Sequence, residues 1–175
     1  MPAKISDLST AKNVDLEKYQ GQWYEIARIE NYFEKRCGVG EMAPIAVYSL
    51  KQNNIFGVIN SCRQVKNNKI KRVSGIAIVL DSPNNAIFHV NFVPIIKNFP
   101  SIIKFFVKTG NYWILKVIFR ENNSYKYDLA YVCSPDRRCL WFLCRTSQVT
   151  EKEYDDFVEF SEKQKFDLTN LKRVR

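Results

Sequence analysis

The sequence predicts an all-β fold: an eight-stranded antiparallel up-and-down β-barrel with one C-terminal α-helix packed outside. Three observations carry this expectation. Short runs rich in β-branched and aromatic residues succeed one another from Gln22 to Arg145, separated by turn residues. Several runs, such as YWILKVIF and CLWFLC, are apolar on both faces, so each needs a covered outer face as well as an interior. Only one stretch carries a full set of helix signals, and closing a meander of strands into a barrel removes its exposed edges.

In chain order, QWYEIARI is the first strand. IAVYSLKQNNIFGVINSC supplies the second and third, joined at an Asn-Asn turn. KIKRVSGIAIVL follows the turn VKNN, and NAIFHVNFV overlaps the turn DSPNN. NYWILKVIF is the sixth strand, YKYDLAYVC the seventh after ENNS, and RCLWFLCR the eighth after SPDR. The helix falls at 150–165: Thr150 and Glu153 form a capping box, and Tyr154, Phe157 and Val158 make an apolar stripe for the outside of the sheet. DLTNLKRV then offers one more short extended piece. There are no internal repeats, low-complexity tracts or linkers, so a single domain over 1–175 is expected, with 1–13 as a flexible lead-in.

The bulk numbers exclude other classes. A chain 46% hydrophobic and 26% charged is a folded globular protein rather than a disordered one. No apolar run approaches the roughly 18 residues of a spanning helix, and MPAKISDLST lacks the apolar stretch of a signal peptide. A cytoplasmic or membrane-peripheral location is expected, or a periplasmic or secreted one if a leader has been removed. The net charge of +9 favours acidic partners. Zinc spacing, a helix-turn-helix pattern and basic–aromatic strand motifs are all missing, so nucleic acid is not an expected partner. What remains is an anionic membrane surface or a plain basic exterior. The five cysteines are odd in number and none sits in a metal-like doublet, so no metal and no cofactor are expected. Pairing Cys133 with Cys139 across SPDR would require Arg138 to be absorbed as a bulge, and free thiols are the expectation.

At GQWYEIARIENYFEK, Gly21 to Lys35, the chain resembles the lipocalin family. The likeness is to the branch holding bacterial outer-membrane lipocalins, apolipoprotein D and plant temperature-induced lipocalins. NYWIL, YDLAYVCSPDRRCLWFLCRT and the capped helix agree with it, and the resemblance runs from about Val14 to Val174. It implies a structural motif of Gly21, Trp23, Glu25 and Arg145, with Arg145 laid across the Trp23 ring at the closed end. Glu25 shares the inward parity of Trp23, and Arg145 is its expected partner. The implied function is binding and transport or scavenging of small hydrophobic ligands of fatty acid or lysolipid type. The family match places Tyr48 and Trp141 inside, and alternation adds Leu143, Phe56, Val58, Asn60 and Cys62. Phe88, Val90 and Phe92 are assigned inward against His89 and Asn91, and a water-facing Lys116 turns Trp113 and Leu115 in. The lipid-modified N-terminal cysteine of bacterial members and the bridges of apolipoprotein D have no counterpart here, which favours a reducing compartment.

The stretch PIIKNFPSIIKFFVKTG, between the fifth and sixth strands, is apolar and cationic with no acidic residue. The resemblance places it over the open end of the barrel, where plant members carry a membrane-associating loop. Ile95, Ile96, Lys97, Phe99, Ile102, Ile103, Lys104, Phe105 and Phe106 are its candidate contacts, and Pro94 and Pro100 interrupt any regular element. Membrane contact, a lid over the ligand and a dimer contact all remain open, as do monomer and homodimer. The protein is not expected to be an enzyme: His89, its sole histidine, has no Asp or Ser close in sequence. Two alternatives stand beside the carrier. One is a membrane-surface adaptor with a filled barrel, the other a thiol-dependent lipid-modifying enzyme using Cys62.

Overall fold

The computed structural model describes residues 7–30, 34–92, 111–121 and 124–175. Strands β1 (Gly21–Ile29), β2 (Ile45–Leu50), β3 (Ile55–Arg63), β4 (Ile70–Val79), β5 (Ile87–Asn91), β6 (Tyr112–Ile118), β7 (Leu129–Cys133) and β8 (Leu140–Cys144) follow in order. Each pairs antiparallel with the next, and β1 pairs with both β2 and β8, which closes the eight-stranded barrel. A four-residue helix α1 (Leu16–Tyr19) precedes β1, and α2 (Glu151–Lys163) follows β8. The short extended piece after the helix is β9 (Lys172–Arg173), which joins β1 at Ala27 and Arg28, beyond the point where β1 leaves β2.

The turns form where the Asn-Asn pairs stand. Asn54, Asn68 and Asn85, the second Asn of each pair, have φ of 58°, 56° and 56°. Asn tolerates this left-handed backbone better than other residues with a Cβ, so the polar punctuation sets the hairpins. The register Gly21↔Tyr48 puts the start of β1 beside the end of β2 at one end of the barrel. Strands β1, β3, β5 and β7 therefore all finish at the other end, where β2, β4, β6 and β8 begin.

Two apolar layers result. The inner one contains Trp23, Tyr48, Phe56, Val58, Ala77, Phe88, Ile114, Ala130, Val132 and Leu143. The outer one lies between the sheet and α2, where Phe157 stacks on Phe142 at 4.8 Å and meets Tyr131 edge-on at 5.0 Å. Helix α2 starts at the expected capping box, in which Thr150 Oγ1 accepts from the Glu153 amide and Glu153 Oε2 accepts from the Thr150 amide. Glu153 also pairs with Arg120 at 2.7 Å, tying the helix start to the end of β6.

Two β-bulges alter the inward assignments. In β6 the register shifts between Ile114 and Lys116, so Leu115 and Lys116 both face outward. Lys116 does face out, over the Tyr131 and Phe160 rings, but counting back from it crosses the bulge. Trp113 and Leu115, assigned inward from the sequence, belong instead to the outer layer, while Ile114 lies in the inner cluster and Tyr112 packs against it. In β1 the shift lies between Glu25 and Ala27. Ile26 and Ala27 both pack in the outer layer, and Arg28 returns to the inner side opposite Trp141.

Part of the lead-in docks on the barrel. Residues 1–6 are outside the described set, but Leu8 is buried in the outer layer and Val14 in the inner one. The Ala11 amide donates to the Ile114 carbonyl at 2.9 Å, so backbone as well as side chains docks this stretch.

Candidate functional site

The closed end is built on Trp23, fully buried, whose Nε1 donates to the Tyr19 carbonyl at 2.9 Å. The Arg145 guanidinium lies 3.7 Å from the centre of the Trp23 ring. Its Nε donates to the Tyr127 carbonyl and Nη1 to that of Gln22, while Nη2 is shared among Lys18, Tyr19 and Gln20, all at 2.8–3.0 Å. Arg145 thus staples α1, β1 and the β6–β7 connection together. Burial lowers its pKa to about 10. Gly21 has φ +104°, and a Cβ there would stand 3.3 Å from Arg145 Nη1, so the tight entry into β1 requires glycine.

Above this floor the barrel holds an aromatic stack. Phe56 and Phe88 stack at 5.6 Å, Phe88 and Tyr112 at 5.8 Å, and Tyr112 and Trp141 at 6.3 Å. Tyr19, carried in by α1, meets Tyr48 and Phe88 edge-on. The Tyr19 and Tyr112 hydroxyls are 2.7 Å apart, and Tyr112 also bonds Tyr48, so three buried hydroxyls satisfy one another. Burial, with Tyr112's hydrogen bond opposing it, pushes Tyr48 up to about 12. The three therefore stay neutral, and Tyr48 already has a partner within the wall.

On the open side of Trp23 the inner face carries charge. Arg28 Nη1 donates to Glu25 Oε1 at 2.7 Å, its Nη2 to Glu30 Oε2 and the Glu34 carbonyl, and Trp141 Nε1 donates to Glu34 Oε1 at 2.8 Å. Glu25 therefore pairs with Arg28, not with Arg145 as expected, because the β1 bulge brings Arg28 to the inner side. Burial, and next the neighbouring Glu34, push the Glu25 carboxyl up to about 8 despite Arg28.

Cys62 is not a free thiol. It forms a disulfide with Cys37, with Cα atoms 5.6 Å apart, which pins the β1–β2 connection to the end of β3. The Gly38 amide donates to the Arg63 carbonyl and the Val65 amide to that of Arg36, so a short ladder flanks the bond. The thiol-dependent reading has no free nucleophile at Cys62, since that sulfur is bonded to Cys37. The ground for a reducing compartment falls with it. Cys133, Cys139 and Cys144 are free, and burial pushes Cys133 up to about 12. The double variant Cys37→Ser, Cys62→Ser should lose about 3.5 kcal/mol in urea denaturation, the loop-closure value for a separation of 25 residues. An unchanged midpoint would show that the ladder alone holds the connection.

Of the remaining residues assigned to a ligand site, Tyr48, Phe56, Val58, Phe88 and Leu143 lie buried in the inner cluster, with Val90 and Trp141 packed against it half-buried. Asn60 is half-buried, and its Oδ1 is sealed from solvent with no hydrogen-bond partner. Phe92, expected inside, is 40% exposed just beyond β5. His89 faces outward opposite Ile78, half-buried, with burial lowering its pKa. Residues 94–109, with all nine candidate membrane contacts, lie outside the described residues. Among the described residues, no cluster of His, Cys, Asp and Glu could hold a metal. Sequence reasoning missed Tyr19, Tyr112, Arg28 and Glu34. A signal for Tyr19 existed, an aromatic residue placed just before the first glycine of the strand.

A closed β-barrel sealed by an arginine on a tryptophan at one end, with half-exposed inner-face side chains toward the other, defines the class of cup-shaped barrel proteins. A family model described as a lipocalin-like domain matches residues 14–175. The chain belongs to the lipocalin-like family, whose members bind small hydrophobic ligands and are generally binding proteins rather than enzymes. Temperature-induced lipocalin-1 of Arabidopsis thaliana is 28% identical over 169 residues, covering 96% of this chain and 82% of that one. The outer membrane lipoprotein Blc of Escherichia coli K12 is 26% identical over 170 residues, covering 97% and 84%. Among solved structures, the cockroach major allergen Per a 4 aligns with a TM-score of 0.62 at 15% identity, covering 95% of this chain and 90% of that one. Insecticyanin of the tobacco hornworm Manduca sexta aligns with a TM-score of 0.59 at 15% identity, covering 100% and 87%.

Proposed function

We propose that the open half of the barrel carries a single-chain amphipathic lipid of fatty acid or lysolipid type, with a hydrogen-bonding group of the ligand held at Asn60. The observation that supports this reading is the change of exposure along the inner face. Trp23, Phe56 and Phe88 in the closed half are fully buried around Tyr19, whereas Ala46, Asn60, Val90, Tyr112 and Trp141 keep part of their surface open. Inner-face side chains that stay half-exposed border unfilled space, and an apolar wall with a few polar atoms suits an amphipathic ligand. Asn60 Oδ1 is an acceptor in want of a donor, and because the residue is only half-buried, a turn of its side chain toward the barrel interior lets a lipid hydroxyl or protonated carboxyl supply one. Reversible loading makes such a barrel a carrier or scavenger. Segment 94–109, apolar and lysine-bearing, belongs to the same reading as the membrane contact through which lipid is exchanged.

The aromatic stack favours a second reading, a filled barrel acting as a membrane-surface adaptor. Tryptophan-fluorescence titration separates the two. A long-chain fatty alcohol should bind saturably, and its methyl ether, which lacks the donor, about fivefold more weakly. Asn60→Leu should erase that difference. Absence of any saturable change, with lysolipid as well as alcohol, would favour the filled barrel.

A further inference from the structure

We infer that the β3–β4 hairpin is a docking element for anionic phospholipid membranes. The stretch RQVKNNKIKR, residues 63–72, holds five basic residues and no acidic one. Every residue from Val65 to Arg72 is exposed, and two of them are apolar: Val65 is 66% and Ile70 56% exposed. Bare β-branched side chains beside a turn gain nothing from water, and a solvated hairpin needs neither of them. Val39, 57% exposed, belongs to the connection that the Cys37–Cys62 bond and the Gly38–Arg63 hydrogen bond hold against this hairpin.

The charges are free to act outward. Arg63 Nη1 is used within the turn, on the Asn68 carbonyl at 3.0 Å. Lys66, Lys69, Lys71 and Arg72 make none of the ion pairs found among the described residues, although other exposed lysines, such as Lys152, Lys163 and Lys172, do. Four unneutralised cations around two exposed apolar side chains match a surface that is negative outside and oily beneath. A nucleic acid would satisfy the cations but leave Val65 and Ile70 in water. The hairpin sits at the open end, the same end at which the chain leaves β5 and enters β6, so docking presents the barrel mouth to the bilayer. Its use in lipid exchange rests on the carrier reading above, but the docking itself does not.

Vesicle co-sedimentation tests this with phosphatidylcholine vesicles, with or without about one-third phosphatidylserine. The wild-type protein should bind the anionic vesicles and release at high salt. Changing Lys66, Lys69, Lys71 and Arg72 to Gln together should cost at least about tenfold in affinity. The separate variant Val65→Ser, Ile70→Ser should also lose affinity, which a purely electrostatic contact would not show. Both should keep the wild-type melting temperature and fatty alcohol titration, so that failure of docking and failure of the carrier reading are read independently. Equal binding by the four-residue variant, no preference for phosphatidylserine, or displacement from vesicles by a single-stranded oligonucleotide bound through the same four residues would overturn the inference.

Discussion

Arg145→Ala should cost about 4 kcal/mol or more of folding stability, the largest effect expected of any single substitution outside the apolar layers. Three donor groups of this guanidinium reach carbonyls on α1, on β1 and before β7. Charge-assisted bonds of this kind are worth about 1.5–3 kcal/mol each, and the contact with Trp23 adds about 1 kcal/mol. The sum overstates the loss, because water reaches part of the site and the bonds share donors. Arg145→Lys keeps the charge but has no planar fork, and a single ammonium cannot serve carbonyls on three sides. It should recover less than half of the loss in urea denaturation. Full recovery by Lys would mean that charge alone, and not the staple, holds the closed end.

The second large effect is a dependence of stability on pH. Glu25 has its pKa raised from 4.5 to about 8 in the folded chain, first by burial and then by Glu34. Arg28 faces it directly, Glu30 and Glu34 share that arginine, and Arg175 approaches from the C-terminal segment. Between these two values the folded chain keeps a proton that the unfolded chain releases. The Glu25 contribution to stability then falls as pH rises from about 5 to about 8, by up to about 1.4 kcal/mol per pH unit, while His89, its pKa lowered by burial, contributes a rise confined to the part of that window below its ordinary value. Glu30 carries the opposite sign, since hydrogen bonds from Lys172 and Arg28 overcome its burial and hold it below the usual range, but its contribution changes only in acid. Glu25→Gln should flatten the profile between pH 5 and 8 and be more stable than wild type at the upper end. A wild-type profile already flat in that window would mean that Arg28 keeps Glu25 ionised.

Local chemistry made much of this fold legible. The Asn-Asn pairs turn the chain because their second residue accepts a left-handed backbone, and Thr150 with Glu153 starts the helix where the spacing places it. Non-local features were not legible. A bulge is one extra residue whose cause lies in the partner strand. Period-two counting therefore ran through Ile114–Lys116 unaware and turned Trp113 and Leu115 to the wrong side. The same kind of shift in β1 hid Arg28 and misassigned the partner of Glu25. Cys37 and Cys62 are 25 residues apart, one in a connection whose path no local rule gives, so their bond could not be read from spacing. Tyr19 enters the barrel only because α1 folds under it, a placement that depends on Arg145 from the far end of the chain.

The central claim, that the open half of the barrel holds one lipid chain, is tested most directly by native mass spectrometry of the protein as isolated and after incubation with a lysophospholipid. The account predicts a one-to-one adduct with the mass of a single-chain lipid, lost when Ala46 and Val90, half-buried against the inner cluster, are both replaced by Trp to fill the open half. A bare protein mass in both samples would contradict it and leave the barrel a closed, filled scaffold.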